Sequence, residues 1–294
     1  MRNDPDLRAL TAAAEALHVS RAELTEITVL KKGMTNRSWL LSCQGKRYIL
    51  RVPGEGTNRL IDRRGEAAVY EAIQNTGLGD HLVFLDPGTG YKLTEYWENA
   101  RVCDSERECD VCACMRRLRT FHDSGIRVGH TFDLFGQIDF YEKLRGKASC
   151  YQDYSQTKTQ VLAMRPWLEG HSRPHVLTHI DAVPDNFLFL PGEDAPRLID
   201  WEYAGMQDPD IDIAMFCIYA GYDRTQTDKL INAYYPEGCK DADRRKIYGY
   251  MAAGGLLWST WCEYKRTLGV EFGAYAQRQY DYAREYARIW EAMK

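Results

Sequence analysis

The hydrophobic pattern of the first hundred residues predicts a helical start followed by short strands. Residues 4 to 18 carry apolar positions at helical spacing, and "SRAE" at 20 to 23 matches a capping box that opens a short second helix. Three β-rich runs follow, "EITVLKK", "NRSWLLSC" and "KRYILRV", with a Gln44-Gly45 turn between the last two. We therefore predict a small antiparallel meander.

The pattern changes after Trp97. Before it, a helix is predicted at about 60 to 75, and the strands "HLVFL" and "YKLTEYW" are joined by the turn "DPGTG". After it come long helical stretches, interrupted by the short apolar runs "PHVLTHI", "NFLFL" and "PRLIDWEY". The predicted fold class is α+β, with a sheet-containing N-terminal lobe over residues 1–97 and a larger, mainly helical C-terminal lobe over residues 98–294.

Composition excludes several classes of protein. The 294 residues are 45% hydrophobic, which is ample for a core, but no apolar run approaches the roughly 18 residues that cross a bilayer. The charged start lacks the apolar segment of a secretory signal, so a cytoplasmic location is expected. A net charge of -4 without a basic stripe argues against nucleic-acid binding.

The cysteines allow two interpretations. Cys109 and Cys112 form a C-x-x-C pair that could hold a metal. The segment has helical periodicity and no second matching pair, and nine cysteines is an odd number. Reduced, partly buried thiols are the favoured interpretation.

One constellation of polar residues indicates phosphoryl transfer. His179, Asp181 and Asn186 match the pattern H-x-D-x-x-x-x-N, and Asp200 follows in "LIDWE" at the end of a predicted strand. Such a site needs one Asp for the substrate hydroxyl, and an Asn and a second Asp for Mg²⁺. The alternative is a hairpin in which these residues only form turns. The pairing of the two motifs favours a kinase-like site.

Three segments resemble the choline kinase family, especially its bacterial LicA-type members, within the aminoglycoside-phosphotransferase and protein-kinase-like superfamily. They are "KKGMTNRSWLL", "HIDAVPDNFLFL" with "LIDWEYAG", and "LLWSTWCEYKRTLGVEFGAYAQRQYDYAREY". The resemblance implies a two-lobed protein-kinase-like fold and an enzyme that uses ATP and Mg²⁺. It implies that Asp181 activates the acceptor hydroxyl, and that Asn186 and Asp200 bind metal.

Nucleotide binding is expected from the N-terminal lobe. Gly33 allows close backbone approach and Thr35 offers a donor to phosphate, although an ordinary solvated hairpin tip is the alternative. The resemblance implies that Arg51 binds phosphate. Glu66 is the candidate carboxylate partner of Arg51, and a solvated helix charge is the alternative. The segment "LTEYW" resembles the hinge whose backbone contacts adenine. The full predicted set is Lys32, Gly33, Met34, Thr35, Asn36, Arg51, Glu66, Glu95 and Tyr96.

The acceptor is predicted from aromatic residues. Trp258 and Trp261 lie three residues apart and share a helix face, where they could form walls of a box for a quaternary ammonium or simply be core. The resemblance adds Tyr203 and, more weakly, Tyr280. Two departures from the family are Ile180, where Asn is common, and the segment "IAMFCIYAGYD" after Asp212, which lacks the carboxylate that many eukaryotic choline kinases place near the cation.

Two further polar residues are predicted to be structural. Asp212 resembles the Asp that braces the catalytic loop by hydrogen bonds, and His122 lies at a helix end. The predicted function is ATP- and Mg²⁺-dependent phosphorylation of a small amino alcohol, choline first. The alternatives are a kinase of ethanolamine, thiamine or an aminoglycoside, and a non-catalytic binding module. The oligomeric state stays open.

Overall fold

A computed structural model describes residues 6–32, 36–54 and 56–293. The chain forms two compact units, Met1–Arg101 with Leu188–Tyr203, and Val102–Phe187 with Ala204–Lys294. The predicted lobes divide the chain after residue 97, whereas segment 188–203 lies with the first unit in the structure. This segment contains Asp200.

The first unit is built on a five-stranded antiparallel sheet with the order β1-β2-β3-β5-β4. The meander is confirmed, and Gln44 and Gly45 both have positive φ in its two-residue turn, as a tight hairpin requires. Arg51 of β3 lies opposite Lys92 of β5. The strands are β1 Thr25–Lys32, β2 Asn36–Cys43, β3 Lys46–Pro53, β4 Leu82–Leu85 and β5 Lys92–Glu95.

Two helices and two short strands complete this unit. The helices are α1 Leu7–Ala16 and α2 Arg63–Ile73, and the short strands are β8 Phe187–Phe189 and β9 Arg197–Leu198. The small buried face of α1 packs in one core cluster with Leu41, Leu50 and Leu93 of the sheet. The Asp62 side chain caps α2 by accepting the amide N–H groups of residues 64 and 65. The buried stripe of α2 includes Glu66, a charge that needs a partner.

The second unit is mainly helical, as predicted. Its helices are α3 Glu108–His122, α4 Leu134–Arg145, α5 Tyr154–Gly170, α6 Asp210–Ala220, α7 Arg224–Tyr234, α8 Asp241–Thr267 and α9 Ala274–Ala292. Helix α8 contacts α4, α5, α6 and α9 and is buried over most of its length. Gly255 permits the close approach of α9, because a Cβ there would lie 2.5 Å from the carbonyl oxygen of Gln279.

Short strands frame the predicted catalytic loop. β7 Val176–Thr178 pairs antiparallel with β10 Gly205–Gln207, while β6 is Arg101–Val102. Within the described ranges, no helix is both long enough and apolar enough to span a bilayer. Cys109 and Cys112 lie on α3 with free thiols, and the described residues contain no group of three or more His, Cys, Asp or Glu that could hold a metal.

Candidate active site

The predicted catalytic loop is a tight turn in the second unit. β7 ends just before His179, a 3-10 helix covers Pro184–Asn186, and β8 follows directly. The Asn186 side-chain amide donates to the Asp181 carbonyl oxygen at 2.9 Å and to its carboxylate Oδ2 at 3.1 Å. The loop therefore brings Asp181 and Asn186 together, as the sequence predicted.

A buried carboxylate braces this loop. Asp212, at the start of α6, accepts the backbone N–H of His179 at 2.8 Å and that of Ile180 at 2.7 Å. The His122 Nε2 lies 3.0 Å from the same carboxylate, and the His122 Nδ1 lies 2.7 Å from the Tyr234 hydroxyl. The predicted brace is confirmed, and His122 contacts it from the end of α3.

Ile180 departs from ordinary backbone geometry. Its φ is +66° and its side chain is fully buried. A β-branched residue in the left-handed region is strained by about 1–3 kcal/mol, whereas Asn visits this region readily. This backbone requirement gives a physical reason for Asn at this position in the family. Here the hydrogen bond from Ile180 to Asp212 holds the strained conformation.

In the first unit, Arg51 is the centre of an ionic cluster. Its Nη2 lies 2.7 Å from Glu66 Oε2, and its Nη1 lies 3.1 Å from Asp200 Oδ1. The Arg51 and Glu66 side chains are almost fully buried, while that of Asp200 is 36% exposed. The predicted Arg51–Glu66 pair is present, so Glu66 is not a solvated charge. Its role in nucleotide binding stays a prediction.

Glu202 belongs to the same cluster and was missed by the sequence reasoning. Its Oε2 lies 3.2 Å from Arg51 Nη1 and accepts the Asn36 side-chain N–H at 2.7 Å. Burial and the neighbouring Asp200 charge raise the pKa of Glu202 to about 8, although Arg51 opposes this. Its closeness to Asp200 in the chain was the only hint, because Asp200 has a positive φ and Glu202 lies in a turn, so the alternation of an extended strand does not apply there.

Lys92 is the second residue that was missed. Its Nζ donates to the Tyr70 hydroxyl at 2.7 Å and lies 3.5 Å from Glu66 and 3.6 Å from Asp200. It is 5% exposed. No motif marks Lys92, and only the β3–β5 register places it beside Arg51.

The other predicted nucleotide-binding residues occupy the sheet and its edges. Glu95 ends β5 and its carboxylate lies 2.8 Å from His81 Nδ1. The Tyr96 N–H donates to the Arg47 carbonyl, and the Arg47 guanidinium lies over the Tyr96 ring. Their predicted contact with adenine stays a prediction. The predictions on Gly33, Met34, Thr35 and the Lys32 side chain lie outside the described residues.

Trp258 and Trp261 share one face of α8, as predicted. Their ring centroids are 6.1 Å apart at 86°, and Trp261 also contacts Phe272 at 5.1 Å. The Trp258 Nε1 donates to the Met215 sulfur at 3.2 Å, and Lys265 lies over the Trp261 ring. The Trp261 Nε1 is buried without a hydrogen-bond partner in the part of the chain that the structure describes.

The same aromatic cluster extends towards the catalytic loop. Phe272 contacts Tyr275, which contacts Tyr219 at 5.7 Å between ring centroids. Burial and then the Asp181 charge raise the pKa of Tyr219. Burial is also the main cause of a raised pKa at Tyr275, with a smaller contribution from Asp181. Asp181 is therefore close enough to both tyrosines to affect them.

The two remaining candidates have different surroundings. The Tyr280 hydroxyl donates to Asp153 at 2.8 Å and lies 3.0 Å from the Thr157 hydroxyl, and its ring stacks on Tyr151 at 3.8 Å. This gives Tyr280 structural partners of its own. Tyr203 follows Glu202 directly and is 9% exposed. The assignment of Tyr203 and Tyr280 to a substrate pocket stays a prediction.

Comparison with known proteins agrees with this geometry. A family model described as choline/ethanolamine kinase matches residues 27–253. The protein LicA of Haemophilus influenzae is 30% identical over 267 residues, covering 85% of this chain and 77% of LicA. The crystal structure of choline kinase LicA from Streptococcus pneumoniae has a TM-score of 0.84 at 27% identity, with 96% of this chain and 98% of that chain covered. A structure of LicA in complex with AMP has a TM-score of 0.83 at 27% identity, again with 96% and 98% covered.

The antiparallel sheet, the helical C-terminal part and the likeness to choline kinase LicA define a protein-kinase-like phosphotransferase that uses an alcohol group as acceptor. The chain belongs to the choline/ethanolamine kinase family. Its activity is that of a kinase of choline or a similar small molecule.

Proposed function

We propose that this enzyme transfers the γ-phosphoryl group of ATP to the hydroxyl of choline with the help of Mg²⁺. The observation that supports choline best is the chain of ring contacts formed by Trp258, Trp261, Phe272, Tyr275 and Tyr219. In this reaction a bond forms between the choline oxygen and the γ-phosphorus, and the bond to the β-phosphate oxygen breaks to release ADP. The hydroxyl proton passes to Asp181.

The proposed binding of the ATP phosphates rests on the charges of Arg51 and Mg²⁺. Arg51 is a buried guanidinium, a group that binds phosphate oxygens well. Mg²⁺ prefers oxygen ligands and neutralises charge that develops on the phosphates. The carboxylate of Asp200 is partly exposed. The side-chain nitrogen of Asn186 donates to Asp181, so the side-chain oxygen of Asn186 is the atom that can act as a metal ligand. The donor sets at Asp200 and Asn186 therefore suit Mg²⁺.

The choice of choline as the phosphoryl acceptor rests on its trimethylammonium group, which forms no directional hydrogen bonds. Such a cation offers no N–H donor, so aromatic faces hold it better than hydrogen-bond acceptors do, at about 0.5–2 kcal/mol for each face. A primary amine would gain more from a carboxylate. The rings of Trp258, Trp261 and Phe272 form an aromatic cluster, which favours choline over ethanolamine.

An acceptor panel tests the proposal directly. Choline, ethanolamine, thiamine and an aminoglycoside are each offered with ATP and Mg²⁺, and ADP release is followed in a coupled assay. We expect choline to give the largest kcat/KM. Chelation of Mg²⁺ should abolish turnover.

The matched variant for this panel is Asp181→Asn, which keeps the shape of the loop. We expect its kcat to fall by about 10³-fold or more with the fold retained, because it removes the proton acceptor and its charge. A higher kcat/KM with ethanolamine or another acceptor would refute the choline assignment. No turnover with any acceptor would favour the non-catalytic alternative.

A further inference from the structure

Lys92 is a buried cation beside the predicted phosphate clamp. It begins β5 and lies opposite Arg51 in the β3–β5 register, so the two side chains project from the same face of the sheet. Their side chains are only 6% and 7% exposed. Two adjacent buried cations repel each other unless carboxylates compensate them.

Two carboxylates are shared between these cations. One oxygen of Glu66 lies 2.7 Å from Arg51 Nη2, and the other lies 3.5 Å from Lys92 Nζ. The Oδ1 atom of Asp200 lies 3.1 Å from Arg51 Nη1 and 3.6 Å from Lys92 Nζ. The Tyr70 hydroxyl is a neutral neighbour that accepts a hydrogen bond from Lys92 at 2.7 Å.

The charge balance of the cluster depends on Lys92. Arg51 contacts three carboxylates, those of Glu66, Asp200 and Glu202. The Glu66 Oε1 atom is buried and has no hydrogen-bond partner among the described residues, so the Lys92 charge is what compensates it. Without Lys92, Arg51 would be the cation of this cluster left to compensate all three carboxylates.

We propose that Lys92 is a positioning residue for the nucleotide polyphosphate. By compensating Glu66 and Asp200, it leaves the Arg51 guanidinium oriented to bind phosphate oxygens. This inference rests on the proposed function and extends it to a residue outside the known sequence motifs. Lys92 acts through Arg51 and Asp200 and makes no contact with the reacting atoms in this proposal.

The test is calorimetric titration of MgADP into the full chain, with no turnover needed. We expect Lys92→Met to weaken MgADP binding by about 10-fold or more, and Lys92→Arg, which keeps the charge, to stay within about 3-fold of wild type. Tyr70→Phe removes a neutral hydrogen-bond partner and keeps every charge, so its MgADP affinity should change by about 2-fold or less. The choline KM should stay within about 2-fold in all three.

The outcomes separate this inference from the proposed function. Wild-type MgADP affinity in Lys92→Met would overturn the inference alone. A parallel loss of MgADP affinity and choline affinity in Lys92→Met and Lys92→Arg would assign Lys92 to structure and overturn it as well. If the Met variant does not fold, Lys92→Gln, which still donates to Tyr70, takes its place. Failure of the wild type to bind MgADP would instead refute the proposed function.

Discussion

Replacing Asp212 by Asn tests whether its carboxylate holds the catalytic loop in place. The carboxylate is fully buried and has three hydrogen-bonding neighbours. Its Oδ1 accepts the N–H of Ile180, and its Oδ2 accepts the N–H of His179 and faces His122 Nε2. An amide keeps the size of the side chain but has only one acceptor oxygen, so Asp212→Asn must place an NH₂ group against one backbone N–H.

The magnitude follows from this count. One buried N–H loses its partner whichever way the amide turns, which costs about 1–3 kcal/mol. The bonds that remain change from charge-assisted to neutral, which costs about 1 kcal/mol more. We therefore expect Asp212→Asn to lower the free energy of unfolding by about 2–4 kcal/mol. His122 can change tautomer and does not add to the loss.

The assay is urea unfolding followed by tryptophan fluorescence, with kcat measured on the folded fraction. Asp123→Asn is the matched control, because Asp123 is an exposed carboxylate that directly follows His122, and we expect a change within about 0.5 kcal/mol. We also expect kcat of Asp212→Asn to fall, since the Asp181 loop loses one of its two supports. A stability loss below about 0.5 kcal/mol would refute the brace.

Three further predictions concern the aromatic cluster, helix packing and the half-buried acid Asp80. Trp258→Leu should raise the choline KM by about 10-fold and leave MgADP affinity within about 2-fold, while an equal loss of both would assign Trp258 to the core. Gly255→Ala places a Cβ 2.5 Å from a backbone oxygen of α9 and should cost about 1–3 kcal/mol in urea unfolding, whereas Gly170→Ala, with open space around it, should be near neutral. Burial raises the pKa of Asp80 above its unfolded value, so the free energy of unfolding falls as pH rises from the unfolded pKa through the folded one. Asp80→Asn should remove that decline and be the more stable protein at pH 7, and an unchanged pH profile would contradict this.

Prediction from the sequence succeeds best where a chemical motif and the hydrophobic periodicity indicate the same structure. The meander, the Arg51–Glu66 pair and the brace at Asp212 are all present in the structure. Glu66 could be predicted because α2 places it on a buried stripe, where an acid needs a cation. The helical C-terminal part follows from the 3.6-residue periodicity, which long helices show clearly.

Prediction from the sequence fails where a contact depends on the register of two paired strands. Lys92 has an ordinary sequence context, and it joins the cluster only because β5 pairs with β3 so that Lys92 faces Arg51. Such a register is a long-range property, and a shift of one residue would turn Lys92 to the other face. The sequence also gives no account of Tyr280, whose hydroxyl partners come from α5 and the residue before it.

Backbone strain could not be predicted from the sequence either, and it occurs in both motifs. Ile180, which directly precedes Asp181, has a φ of +66°. Asp200 itself has a φ of +65°. Left-handed backbone persists only where surrounding contacts over-determine it. Asp212 provides that contact for Ile180, and the Asp200 carboxylate lies against Arg51 and Lys92. We infer that the hydrogen bond at Ile180 and the ion pairs at Asp200 set the direction of each acid, because they hold a backbone conformation that the chain would otherwise leave. Loss of the Asp212 contact, or of the Arg51 and Lys92 contacts, should therefore lower kcat even when kcat is measured on the folded fraction alone.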